Sequence, residues 1–380
     1  MEINFKNAFD KELKLNRYPV SRDKSLRAWD AADELLLEEL AQNENRNLSD
    51  KKILIINDSF GALGLSLIDY NIENYTDSYI TSEAIKANCE SNGLTPISIS
   101  NDLEELKDLT EGSNLFDIVI IKLPKNLSFF EDILCHISKV TGPHSEIICA
   151  GMIKHMAKNS FDLLAKYIGE TTTSLAKKKA RLIFAKKQVE SIESPFPIKL
   201  SIPSFKDKIV NHSNLFSREK LDIGTRFFLE NIPSDGYQNI LDLGCANGII
   251  GIQAKKKNPS AKIHFSDVSY MAIKSAKQNF ADRFPIKDCK LEWTNCYEGA
   301  HQTELDLVLC NPPFHQENTI GDFIAIQMFH DAHKALAPGG RIRVIGNRHL
   351  GYHVKLKKIF NNSEVITQNK KFVIIESIKK

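Results

Sequence analysis

Residues 240–251, ILDLGCANGIIG, pass from a short apolar run through a glycine-bearing loop into a second apolar run. That order reads as a buried strand, a sharp turn and the first turn of a helix, the opening of a parallel α/β unit. Working outward, Asn239 to Leu243 is the strand and Ile249 to Lys257 the helix. Lys262 to Ser266 is the next strand and Tyr270 to Phe280 the next helix, before strands at Lys290 to Thr294 and Leu305 to Cys310. Asp322 to Leu336 reads as a helix stopped by Ala337-Pro338-Gly339-Gly340, with a strand from Arg341 to Gly346. Val365 to Gln368 and Phe372 to Ser377, around Asn369-Lys370-Lys371, read as a closing hairpin. The alternation predicts an α/β fold, a mostly parallel twisted sheet with helices on both faces.

The N-terminal half repeats the pattern. Ile53 to Gly64, ILIINDSFGALG, aligns with ILDLGCANGIIG so that Gly61 faces Gly248 and Gly64 faces Gly251. YTDSYITSEAIKANCESNG, from Tyr75, parallels HFSDVSYMAIKSAKQNF, from His264, and DIVIIKLPK, from Asp117, parallels DLVLCNPPF, from Asp306. Similar segments in the same order argue for a duplicated domain. The first copy is expected over residues 1–190, a linker over 191–204 (SIESPFPIKLSIPS) and the second copy over 205–380. The copies differ where chemistry would sit. Ile55 and Asn57 stand where the second has Asp242 and Gly244, and Lys122-Leu123-Pro124-Lys125 replaces Asn311-Pro312-Pro313-Phe314. The first copy therefore reads as a scaffold without the reactive groups.

With 380 residues, 42% of them hydrophobic and 26% charged, the chain has material for two packed cores. The seven cysteines (89, 135, 149, 245, 289, 296 and 310) include no C-x-x-C pair and lie mostly in apolar runs. Buried, reduced thiols are expected rather than disulfides or a zinc site. Met1 to Asp10 contains no apolar leader, and nowhere do about 18 apolar residues run together, so a cytoplasmic protein without a membrane span is expected. A net charge of +2 does not decide for or against nucleic acid. Basic runs at Lys177-Lys178-Lys179-Ala180-Arg181, Lys255-Lys256-Lys257, Lys355 to Lys358 and Lys370-Lys371 read singly as solvated faces and together as compatible with phosphate contacts.

The loop Asp242-Leu243-Gly244-Cys245-Ala246-Asn247-Gly248 lets the backbone turn sharply and lie close to a ligand. Its spacing is not the G-x-G-x-x-G of a dinucleotide site, and Asp242 suits a cationic ligand, such as one bearing an α-amino group and a sulfonium. Asp267, at the end of the next strand, is placed to accept ribose hydroxyls. Asn295, after the following strand, reads either as an adenine contact or as a turn residue. Gly224 and Thr225 open a helix whose free N–H groups suit a carboxylate. The sharpest signal is Asn311-Pro312-Pro313-Phe314 at a strand's carboxyl end. Two prolines stiffen the turn. The Asn311 side-chain oxygen and the Pro312 carbonyl can then each accept one hydrogen of a weakly nucleophilic ring amine, with Phe314 stacked on the base. Together these residues predict methyl transfer from S-adenosylmethionine to an amine. His315 and His330 read as surface or capping residues, or as proton relays.

These residues resemble the bacterial ribosomal RNA guanine-(N2)-methyltransferases, which are built of two tandem Rossmann-like class I methyltransferase domains. The DLGCANG loop and the NPPF quartet are common to that class. RAWDAADELLLEEL (from Arg27), TTTSLAKKKARL (from Thr171), NLFSREKLDIGTRFF (from Asn214), MFHDAHKAL (from Met328) and NRHLGYHVKLKKIF (from Asn347) point to its large-subunit branch over the small-subunit paralogue. The resemblance covers nearly the whole chain. It implies S-adenosylmethionine as donor and a guanine 2-amino group of large-subunit (23S) rRNA, preferably protein-free, as acceptor. It further implies a catalytic second domain and a first domain that holds RNA or supports the fold. Lys177 to Lys179 and Arg181, placed between the domains, are expected phosphate contacts. Ala246 departs from the glycine usual in that loop.

No metal, membrane or obligate protein partner is expected. Two alternatives stay open: a methyltransferase acting on another amine (small-subunit rRNA guanine, DNA adenine or protein glutamine), and a non-catalytic RNA-binding assembly factor.

Overall fold

Runs such as Ile53-Leu54-Ile55-Ile56 are apolar on both faces because helices cover both sides of their sheet. The computed structural model describes residues 4–20, 23, 25–43, 46–202, 205, 207–234, 236–299, 304–313 and 319–380, and divides into two units, Met1–Phe196 and Pro197–Lys380. In the first unit the sheet comprises β1 (Lys52–Ile56), β2 (Asn71–Tyr75), β3 (Ile99–Ser100), β4 (Phe116–Lys122), β5 (Thr141–Met152), β6 (Thr171–Thr173) and β7 (Ala180–Lys186). Its order is β3-β2-β1-β4-β5-β7-β6. The second sheet comprises β8 (Asn239–Leu243), β9 (Lys262–Asp267), β10 (Cys289–Trp293), β11 (Leu305–Cys310), β12 (Leu336–Asn347), β13 (Glu364–Gln368) and β14 (Phe372–Ile378), ordered β10-β9-β8-β11-β12-β14-β13. The two orders are the same permutation. In each sheet the first five strands pair in parallel and the last two antiparallel.

The helices of the first unit are α1 (Ala31–Gln42), α2 (Ala62–Ser66), α3 (Tyr79–Ser91), α4 (Leu127–Lys139) and α5 (Lys158–Tyr167). Those of the second are α6 (Ile223–Glu230), α7 (Ile249–Lys257), α8 (Tyr270–Ala281), α9 (Thr319–Ala335) and α10 (Tyr352–Phe360). Alternate strand residues serve opposite faces. Ile240, Phe265, Leu307 and Leu309 pack with Phe228, Ile249 and Phe280 of α6 to α8, whereas Leu241, Leu243, Val308 and Cys310 pack with Met328 and Phe329 of α9 and Leu356 of α10.

Strand order reverses at β8, which has β9 on one side and β11 on the other. Ligands of open α/β sheets bind outside the carboxyl ends of the strands at such a reversal. The register Leu243↔Cys310 sets the loops that begin at Gly244 and Asn311 side by side.

Several expectations need correction. Ala337-Pro338-Gly339-Gly340 does not separate α9 from its strand: β12 begins directly at Leu336 and takes up the breaker run as an irregularity between Leu305 and Leu307 of β11. A proline and two glycines are tolerated there because a bulge needs no ladder hydrogen bond from each residue. The second half of the expected linker is structured, since Ile198–Leu200 pairs antiparallel with Ile209–Asn211 in a ribbon of the second unit. Lys177 to Lys179 and Arg181 lie within the first unit, where Lys177 bridges Ala180 at the turn into β7, rather than between the units.

The duplication extends to the backbone. Asn57 and Gly244 are both left-handed, at φ 63° and 74°, as are Gly61 and Gly248, at 90° and 78°. The carboxylate bracing the following helix comes from different positions: Asp58 Oδ2 accepts from Gly64 N at 2.7 Å, and Asp242 Oδ2 accepts from Gly251 N at 2.8 Å. Gly251 itself is required by packing, because a Cβ there would collide with the Phe265 ring and come within 2.9 Å of Ile263 Cγ2.

Candidate active site

The loops after β8, β9 and β11 and the start of α6 bring the expected residues to one end of the second sheet. The β8 loop turns through left-handed residues at Gly244, Ala246 (φ 48°) and Gly248. Ala246 thus occupies backbone space that favours glycine, which is the physical reason for glycine at this position, and its Cβ costs about 1–2 kcal/mol. A Cβ on Gly244 would lie 3.0 Å from Met328 Cε, so α9 closes against the loop.

Asp242 is buried. Its Oδ2 braces α7 and its Oδ1 is buried with no hydrogen-bond partner among the described residues. Burial, with a smaller contribution from the nearby Asp267, pushes this carboxyl up to about 8 against the opposing effect of the Gly251 N–H. Its primary contact is therefore with the chain's own backbone, and only one oxygen remains for a cationic ligand. Asp267 is held from both sides: Ala246 N donates to Oδ2 and Ser269 N to Oδ1, each at 2.9 Å. These bonds fix the carboxylate at the strand end, and a carboxylate is an acceptor suited to hydroxyl donors.

Two expected cofactor residues hydrogen-bond to the chain itself. Asn247 donates from Nδ2 to Asn211 Oδ1 at 2.8 Å and accepts from Ile249 N at 3.2 Å, which spends both ends of its amide on the scaffold. Asn295 donates to Glu298 Oε2 at 3.1 Å and lies in a turn closed by Glu298 N on the Asn295 carbonyl. The thiols nearby are not nucleophiles: burial pushes Cys245 and Cys310 up, and Cys296 up to about 12.

Asn311 directly follows β11. Its Nδ2 donates to Thr225 Oγ1 at 3.0 Å, and its Oδ1 is buried with no hydrogen-bond partner among the described residues. Pro312 is buried and Pro313 half-buried. Phe314 and His315 lie outside the described residues, and His330 is exposed on α9. Gly224 and Thr225 are in the first turn of α6, where Asp222 caps the helix by accepting from Thr225 N at 2.9 Å. The Thr225–Asn311 contact escaped sequence reading. So did the Asn211–Asn247–Asn279 amide cluster, in which Asn279 ties Val210 to the β8 loop. Neither has a spacing that marks it.

These groups fit S-adenosylmethionine: a glycine loop for close approach, a fixed carboxylate for hydroxyls, and the Oδ1 of Asp242, which has no partner among the described residues. Among the described residues no group of three or more His, Cys, Asp or Glu is placed to hold a metal ion, and no helix is long and apolar enough to cross a membrane.

The first unit lacks these groups. Lys122 occupies the Asn311 position, and its Nζ pairs with Asp30 at 2.8 Å and Asp33 at 2.6 Å, both in or beside the first turn of α1. Thr76 stands for Asp267, its hydroxyl accepting from Ser78 N at 3.1 Å.

Residues 4–189 match the RLMG N-terminal domain and residues 206–376 the methyltransferase small domain. The chain is 40% identical to ribosomal RNA large subunit methyltransferase G of Psychromonas ingrahamii, over 98% of each chain. It is 42% identical to that of Photobacterium profundum, over 97% of this chain and 98% of the relative. Among solved structures, a 16S rRNA N2 methyltransferase of T. thermophilus, in complex with AdoMet and guanosine, has the same fold with a TM-score of 0.76 and 15% identity. That match covers 100% of this chain and 98% of the other. With a shared doubling of the fold and relatives at this identity along its full length, the chain belongs to the ribosomal RNA large subunit methyltransferase G family.

Proposed function

We propose that the second unit transfers a methyl group from S-adenosylmethionine to the exocyclic 2-amino group of a guanine in large-subunit (23S) rRNA, forming N2-methylguanosine. The observation that carries this reading is the Oδ1 of Asn311, buried and without a partner among the described residues, at the strand-order reversal beside the glycine loop. The donor supplies an electrophilic methyl: its S–CH3 bond breaks as an N–CH3 bond forms, sulfur keeps the electron pair, and the methylated amine releases one proton to water.

The chain's own residues do the positioning. Asp267 holds the ribose hydroxyls and the β8 loop shapes the bed beneath the donor. Asn311 Oδ1 and the Pro312 carbonyl each accept one amine hydrogen, which draws the nitrogen lone pair out of conjugation with the ring. Phe314 is assigned to stack on the base, worth about 1–3 kcal/mol. Positioning of this kind supplies roughly 7–11 kcal/mol, so no strong base is needed. The guanine must be unpaired or flipped, because a stacked 2-amino group cannot reach the methyl. Protein-free rRNA in the cytoplasm is the assigned substrate, with the first unit holding RNA or supporting the fold.

The test is incubation with labelled S-adenosylmethionine and purified rRNA, DNA or release factor, together with Asn311→Ala. Label is expected in large-subunit rRNA at guanine N2. The alanine variant should lose turnover by orders of magnitude while binding S-adenosylmethionine as before. Wild-type turnover in that variant would remove Asn311 from the mechanism.

A further inference from the structure

We infer that Thr225, braced by Asp222, dictates which way round the Asn311 amide faces and so acts as a positioning residue for methyl transfer; this rests on the reading of Asn311 above. A carboxamide has one accepting and one donating end of nearly equal size. Only the accepting end helps an amine that brings two hydrogens. Turned about, the amide would oppose donor to donor.

The structure contains a device that selects the accepting orientation. Asp222 Oδ2 accepts from Thr225 N at 2.9 Å and, at 3.5 Å, from the Thr225 hydroxyl. That hydroxyl–carboxylate contact is long, and a proton turned toward the carboxylate leaves the hydroxyl oxygen's lone pairs for its other neighbour. Asn311 Nδ2 meets those lone pairs at 3.0 Å. A reversed amide would set two acceptors against each other, so the Asn311 oxygen is turned away from α6 and is left buried without a partner among the described residues. Other buried side-chain oxygens, such as those of Asn258 and Asn347, also lack a partner among the described residues; this one lies beside the proposed reaction centre, where it fits an acceptor reserved for a ligand.

The first unit supplies an internal comparison. The contact between the first turn of the leading helix and the end of the fourth strand is retained, but Asp33 and Lys122 make it as a buried ion pair. Where the reactive amide is absent, the amide-orienting hydroxyl is absent too.

The experiment uses the full chain, S-adenosylmethionine and protein-free large-subunit rRNA. Thr225→Val keeps the shape and removes the hydroxyl. It is expected to lower kcat roughly a hundredfold at saturating donor and rRNA, with the donor Kd unchanged by titration calorimetry. Thr225→Ser should restore kcat. In an Asn311→Ala background, Thr225→Val should bring no further loss, since its effect runs through that amide. The inference is overturned if Thr225→Val leaves kcat intact, raises only the donor Kd, or lowers kcat by the same factor in the Asn311→Ala background. If Thr225→Val does not fold by thermal melt, Thr225→Ala is read against the same outcomes. Wild-type turnover in Asn311→Ala would instead strike the underlying reading, which separates the two failures.

Discussion

Replacing Asp242 with Asn tests the electrostatics of the β8 loop directly. Burial raises this carboxyl from 3.8 to about 8. A raised acid keeps its proton in the folded chain where the unfolded chain has released it. Its contribution to stability is therefore complete below about pH 4 and is lost as pH rises toward about 8. About four units at roughly 1.4 kcal/mol each cap that loss near 6 kcal/mol, and relaxation around a buried charge brings the expected figure to about 2–4 kcal/mol. Asparagine still accepts from Gly251 N and does not titrate, although its unpaired amide end costs about 1–3 kcal/mol at every pH. The variant should thus be the less stable protein at pH 5 and gain on wild type by about 2–4 kcal/mol by pH 8. The chain has two tryptophans. With Trp29→Phe in both proteins, urea unfolding can be followed through Trp293 alone, whose indole donates to the Val268 carbonyl at 2.9 Å within the second unit. If the two stability curves run parallel from pH 5 to 8.5, the account of Asp242 as a buried, protonated brace is wrong.

Two further outcomes are expected. Lys122→Met leaves Asp33 buried and Asp30 half-paired in the first unit, and should cost about 3–5 kcal/mol at pH 7, narrowing in acid as the carboxyls take up protons. Urea unfolding followed at Trp29 reads it, and a loss under about 1 kcal/mol would mean the pair is not the brace described. Replacing Lys177, Lys178, Lys179 and Arg181 together with Ala should weaken rRNA binding and flatten its salt dependence. Lys177 and Lys178 already pair with Glu38 and Glu34, so the slope should fall by about 1–2 units rather than by the full contribution of four phosphates. Unchanged affinity and slope would exclude this hairpin as a phosphate contact.

Much of this protein is legible one segment at a time. Apolar runs and helical periodicity mark the strands of the second sheet, and β8, α7 and β11 have the bounds read from sequence. The tandem copies and the loss of Asp242 and Asn311 from the first are visible by aligning the chain with itself. These are local properties, set by which side chains can cover a strand or turn a loop. Polar partnership is different. Asp242 and Asn247 stand in a ligand-binding pattern, yet one braces a helix amide and the other spends its amide on Asn211. Asp58 does for the first unit what Asp242 does for the second from another position along the loop. Thr225 and Asn311 lie far apart in sequence and meet only because α6 crosses the end of β11. Sequence spacing orders residues along one element, whereas the direction of a hydrogen bond depends on which groups the sheet brings face to face, and only the tertiary structure decided that.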